Sequence, residues 1–140
     1  VLYEEAKAGK PLLGICLGMQ LLFDESDEFG VHEGLHLIPG RVEAFPKDID
    51  LLVPQMGWNQ NVVNNEQSIF ADVLDGSYTY FVHSYYAKCD QQYVVSYTDY
   101  GVKVPSCVEF KNVYGMQFHP EKSGEKGLEM LERFIERVDE

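Results

Sequence analysis

The chain is poor in several things that would have pointed its reading elsewhere. It has three cysteines in 140 residues, Cys16, Cys89 and Cys107, and no CxxC pair. A sparse, odd set excludes a disulfide framework and suits a reducing, cytoplasmic setting. Basic residues are scarce too: 11 Lys and Arg stand against 23 Asp and Glu, a formal net charge of −12. That field repels phosphate backbones and anionic lipid, so neither nucleic acid nor a membrane is expected as a partner. No apolar run has the length of a bilayer-spanning helix. The opening VLYEEAKAGK lacks the basic n-region of a signal peptide. His32 and His36 sit four apart, but HEGLH lies in a Gly-punctuated stretch with no third ligand nearby. Solvated loop histidines are the expectation there, and neither a metal nor another cofactor is expected.

What is present is the balance of a globular protein, with 45% hydrophobic and 24% charged residues. The length suits one domain, residues 1–140. YEEAKAGKP reads as the end of a helix begun ahead of Val1, with Gly9 at its C-terminus and Pro11 as a stop. LLGIC (12–16) reads as a buried parallel strand, and LGMQLLFDES as a helix whose Met19, Leu22 and Phe23 face the core. FGVHEGLHLIPG reads as loop. RVEAF, SYTYFVHSYYAK, QYVVSYTD, PSCVEF and VYGMQFH read as strands, and SIFADVL as a short helix. SGEKGLEMLERFIERV reads as an amphipathic helix capped by Ser123, burying Leu128, Leu131, Ile135 and Val138. The order predicts an α/β fold: a mixed, mostly parallel sheet with helices on both faces, in three layers.

Two stretches carry chemistry. In Gly14-Ile15-Cys16-Leu17-Gly18 a strand turns directly into a helix. Such a corner holds its central residue in a strained bend at the carboxyl end of a strand. A helix N-terminus there lowers a thiol pKa, and the Leu17 N–H is placed to donate to an oxyanion. On this motif alone, Cys16 as nucleophile and Cys16 as buried structural cysteine stand level. The second stretch is His119-Pro120-Glu121, where i and i+2 point the same way and the carboxylate can orient the imidazole. Alone it also fits a surface turn. With the cysteine corner far upstream, the two make the layout of a Cys-His-Glu triad.

On these residues the chain resembles the class I (triad-type) glutamine amidotransferase family. GICLGMQLLF is similar to its nucleophile motif and GMQFHPEKS to its His-Glu motif. The run Pro54-Gln55-Met56-Gly57-Trp58-Asn59 resembles the branch serving imidazole glycerol phosphate synthase of histidine biosynthesis. The resemblance implies a flavodoxin-like fold and a glutaminase, with Cys16, His119 and Glu121 as the triad. It implies that Leu17, Gln20, Ser84 and Tyr85 hold glutamine. It places Met56, Trp58, Asn59, Tyr80 and Lys122 at a heterodimer interface with a (β/α)8-barrel cyclase, which receives the ammonia. It also implies that the family's first strands and a Gly-rich oxyanion loop would precede Val1. Three readings compete with these implications: Trp58 as core packing, a glutaminase of another synthase (anthranilate, aminodeoxychorismate or GMP), and a non-catalytic partner-binding domain.

Overall fold

In the computed structural model, residues 1–139 are described. The chain opens with α1 (Leu2–Lys7), β1 (Leu12–Ile15), α2 (Leu17–Gln20), β2 (Glu25–Ser26), β3 (His32–Glu33) and β4 (Arg41–Ala44). Next come β5 (Gln55–Gln60), β6 (Val62–Val63), α3 (Ala71–Leu74), β7 (Tyr78–His83) and β8 (Tyr85–Lys88). It closes with β9 (Val94–Asp99), β10 (Lys103–Phe110), β11 (Val113–Met116) and α4 (Gly124–Val138).

The main sheet runs β1-β11-β10-β9-β6, with a second sheet β3-β2-β4-β8 and a ribbon β5-β7. Alternation along the strands of the main sheet divides the core in two. Val108 and Val113 point to one face, where they meet Ala6, Met19, Leu22 and Phe23. Cys107, Tyr114 and Met116 point to the other, where they meet Leu74 of α3 and Met130 of α4. Helices therefore cover both faces, and the α/β, mixed-sheet expectation holds. The mostly parallel part of it does not. Among the described residues, only β1–β11 and β2–β4 pair in parallel, and the other ladders are antiparallel. Short connections at 100–102 and 111–112 return the chain as hairpins, and no helix crosses over between those strands.

Three local expectations also change. The helix after Cys16 is a single turn, although Met19, Leu22 and Phe23 are buried as expected. The glycine-punctuated loop holds the two-residue strand β3, and the end of the stretch read as a helix, Glu25–Ser26, is strand β2. In α4 the buried residues are Gly127 and Met130, while Leu128, Ile135 and Val138 are exposed. Gly127 sets this rotation. A Cβ there would lie 1.9 Å from the Pro120 carbonyl oxygen, so the helix packs backbone to backbone on that side. Across the helix, Arg133 reaches α3 through a bidentate pair with Asp72, at 2.5 and 2.9 Å.

Candidate active site

The site forms where β1 and β11, parallel neighbours, both end. Ile15 lies opposite Met116, and the Cys16 N–H donates to the Met116 carbonyl at 2.7 Å. Cys16 then turns the chain at φ 55° and ψ −109°, a conformation that non-glycine residues rarely adopt. The turn is tight because Gly14 lacks a side chain: a Cβ would sit 2.5 Å from the Gly18 carbonyl oxygen. Gly18 itself has open space around it. The Cys16 thiol points at the Val82 carbonyl of β7, 3.8 Å away.

Three residues beyond β11, His119 Nδ1 stands 2.6 Å from Glu121 Oε1. The carboxylate fixes Nδ1–H as the donor and leaves Nε2 free to handle a proton. The pair forms at the mouth of a 3-10 turn, Pro120–Lys122, where extended backbone was expected. His119 is tied down through its backbone. Its N–H donates to the Tyr80 carbonyl at 2.9 Å. Ser123 Oγ donates to the His119 carbonyl at 2.6 Å and accepts the Tyr80 N–H at 3.0 Å. Ser123 therefore makes no side-chain cap for α4. Its hydroxyl staples His119 to β7.

The electrostatics of Cys16 run against the expectation of a lowered thiol pKa. Burial raises it most, and the carboxylates of Glu121 and Glu28 raise it further. The Leu17 N–H and Gln117 side chain lower it, without overcoming burial. A one-turn α2 carries little of the macrodipole on which that expectation rests. Cys16 is still the thiol best placed to react. Burial pushes Cys89 up to about 12, and Cys107 is fully buried with its pKa raised as well.

A cleft of about 210 Å³ opens at the sulfur, lined by Cys16, Leu17, Gln20, Glu28, Val82, His83 and Ser84. Leu17 is exposed, and Ser84 is half-buried between β7 and β8. Gln20 is buried: its Nε2 donates to the Tyr85 carbonyl at 3.0 Å and to Gln117 Oε1 at 3.1 Å. Tyr85 does not line the cleft: its ring packs against the core, and its carbonyl is the one that accepts from Gln20. His83 Nδ1 donates to the same carbonyl at 2.8 Å. Glu28, His83 and Gln117 were not singled out from the sequence. A larger cavity of about 340 Å³, lined by Asn64, Cys89 and Lys103, holds no comparable set.

Met56, Trp58 and Tyr80 share the outer face of the β5-β7 ribbon. Trp58 is 54% exposed and meets Tyr80 edge to face, with centroids 6.0 Å apart. Core packing for Trp58 is thereby overturned. Met56 is 62% exposed, and Lys122 is exposed beside His119. Asn59 stands on the opposite face of its strand and accepts from Gln55 Nε2 at 3.0 Å.

The family model described as glutamine amidotransferase class-I matches residues 2–138. The chain is 57% identical over 138 residues to the imidazole glycerol phosphate synthase subunit HisH of Lactiplantibacillus plantarum, covering 99% of this chain and 66% of that protein. The chain belongs to the class I glutamine amidotransferase family. Similarity to HisH of Archaeoglobus fulgidus is 53% over 128 residues, covering 91% of this chain and 64% of that one. The chain thus spans just under two thirds of the length of these curated relatives, 64–66%. The class I amidotransferase fold recurs in a putative GMP synthase component of Thermoplasma acidophilum (TM-score 0.68, 17% identity, 99% of this chain, 62% of that one). It recurs in a glutamine amidotransferase of Thermotoga maritima (TM-score 0.61, 18% identity, 99% of this chain, 53% of that one). At such identities the likeness is one of fold. Among the described residues no helix is long and apolar enough to cross a membrane.

Proposed function

We propose that the protein is a glutaminase of the HisH type, with residues 1–140 in its amidotransferase domain. It hydrolyses glutamine and passes ammonia to a (β/α)8-barrel cyclase, which makes imidazole glycerol phosphate and the aminoimidazole carboxamide ribotide. Two relatives at 53% and 57% identity carry the HisH name. The observation that carries the chemistry is the strained Cys16 at the end of β1, beside the strand whose exit bears the 2.6 Å His119–Glu121 pair.

In this reading His119 Nε2 takes the Cys16 proton and the sulfur attacks the amide carbon of glutamine. The oxyanion receives the Leu17 N–H. His119 returns its proton to the nitrogen as the carbon–nitrogen bond breaks, releasing ammonia and leaving a thioester. Water, deprotonated by His119, then attacks the thioester, and glutamate leaves as the thiol re-forms. Glu121 holds the imidazole. Glu28, in the cleft with Ser84 and Gln20, offers a carboxylate to the substrate's α-ammonium. Met56, Trp58, Tyr80 and Lys122 form the exposed aromatic and cationic surface that the cyclase covers, with Asn59 behind it on the same strand.

The test is glutamine hydrolysis by the full-length protein, with and without a barrel cyclase and its nucleotide ligand. Hydrolysis stimulated by the cyclase is expected. Hydrolysis indifferent to the cyclase would overturn the assignment to this synthase.

A further inference from the structure

The glutaminase mechanism leaves one buried polar side chain at the sulfur without a task. Gln117 is fully buried, and its backbone N–H donates to the Ser106 carbonyl at 2.8 Å. Its Nε2 donates to Cys16 Sγ at 3.8 Å, within the longer reach of sulfur acceptors. Its Oε1 accepts from Gln20 Nε2 at 3.1 Å, and the same Gln20 nitrogen donates to the Tyr85 carbonyl at 3.0 Å.

The orientation of this chain of amides follows from one group. A main-chain carbonyl only accepts, so the Gln20 atom facing Tyr85 is its nitrogen. That nitrogen also faces Gln117, so Gln117 must present its oxygen there. An amide with its oxygen committed on one side has its NH2 on the other, and the other side is the sulfur. Turned around, Gln117 would set an oxygen against a forming thiolate. The bland alternative is that two core amides merely satisfy each other. It accounts for the Gln20–Gln117 bond and leaves the Gln117 nitrogen at the sulfur as coincidence.

We propose that Gln117 is a further catalytic residue, donating its Nε2–H to the Cys16 thiolate, and that Gln20 acts as a positioning residue that keeps the donor turned to the sulfur. The inference rests on Cys16 being the nucleophile of the proposed glutaminase. The titratable groups around the sulfur are Glu28, His83, His119 and Glu121, on the β2–β3 loop, on β7 and on the turn after β11. Two of them, Glu28 and Glu121, oppose the thiolate, and none supplies a fixed donor in the way a buried amide does.

The experiment is the pH profile of Cys16 alkylation by iodoacetamide in the full-length protein, read by peptide mass, for wild type, Q117M and Q20M. Methionine keeps the length of glutamine and removes its donors. A hydrogen bond to a charged acceptor corresponds to about a tenfold change in thiolate fraction, so the Q117M midpoint should rise by about one pH unit or more. Q20M should move it the same way by less, because Gln117 is then free to turn. Glutaminase kcat should fall about tenfold in Q117M, with KM for glutamine within about twofold. An unchanged midpoint in whichever variant melts as a folded protein overturns the proposal. Alkylation needs no turnover, so a wild type that fails to hydrolyse glutamine would refute the glutaminase reading separately.

Discussion

Cys16 and His119 hang from the same edge of one strand. The Cys16 thiol donates to the Val82 carbonyl at 3.8 Å, and the His119 N–H donates to the Tyr80 carbonyl at 2.9 Å, two residues back along β7. Carbonyls two apart on a strand face the same way, roughly 6.5 Å from each other. β7 therefore serves as the ruler that sets the proposed nucleophile and base side by side, although 103 positions separate them in sequence.

Glu121 acts on the two residues in opposite senses, which separates its roles. Its carboxylate orients His119 and also raises the Cys16 thiol pKa. E121Q should therefore alkylate faster at Cys16 at neutral pH, yet lose at least about 10²-fold in glutaminase kcat. Parallel alkylation and turnover assays check this. Both rates falling together would contradict it.

The two glycines of the corner should differ sharply. G14A drives a Cβ into the Gly18 carbonyl and should cost about 1–3 kcal/mol in denaturant unfolding. G18A meets nothing within 4 Å and lies inside α2, so its stability should stay level or rise by up to about 1 kcal/mol. Equal losses would mean that the corner is looser than described.

His83 makes stability depend on pH. Burial lowers its pKa from 6.5 to about 4, and its Nε2 is buried without a partner. The unfolded chain therefore binds the proton first. The contribution is fully present above about pH 6.5 and is lost as pH falls toward 4, roughly 3 kcal/mol in all. H83N keeps a donor for the Tyr85 carbonyl and does not titrate. Urea midpoints between pH 7 and 4 should fall less steeply in H83N than in wild type, and identical slopes would refute the assignment.

Trp58 is a surface residue of the fold and a central one of the proposed interface. W58A should leave melting within about 1 kcal/mol, while the cyclase should bind at least about tenfold more weakly. Calorimetry and a binding titration read the two effects. A large loss of stability with intact binding would return Trp58 to the core.

The sequence revealed the site where chemistry demands fixed residues at short spacing, and it misled where the outcome depends on packing. GxCxG implied the corner, and HPE implied the pair, because each constrains its own backbone. Ser123 read as a helix cap because the tertiary partner of its hydroxyl, Tyr80, is 43 positions away. The α4 face was misjudged because one glycine, Gly127, outweighs three aliphatic side chains when a carbonyl lies against it. Sheet direction was misjudged because buried strands read alike in either sense. Gln117 lies inside GMQFHPEKS, but the role proposed for it depends on Gln20 and Tyr85, which only the fold brings beside it.

Cys16 as the nucleophile is tested most directly by labelling the full-length protein with an electrophilic glutamine analogue and mapping the adduct by peptide mass. A single adduct on Cys16, prevented by excess glutamine, is expected. Labelling at Cys89 or Cys107 with Cys16 untouched would contradict it.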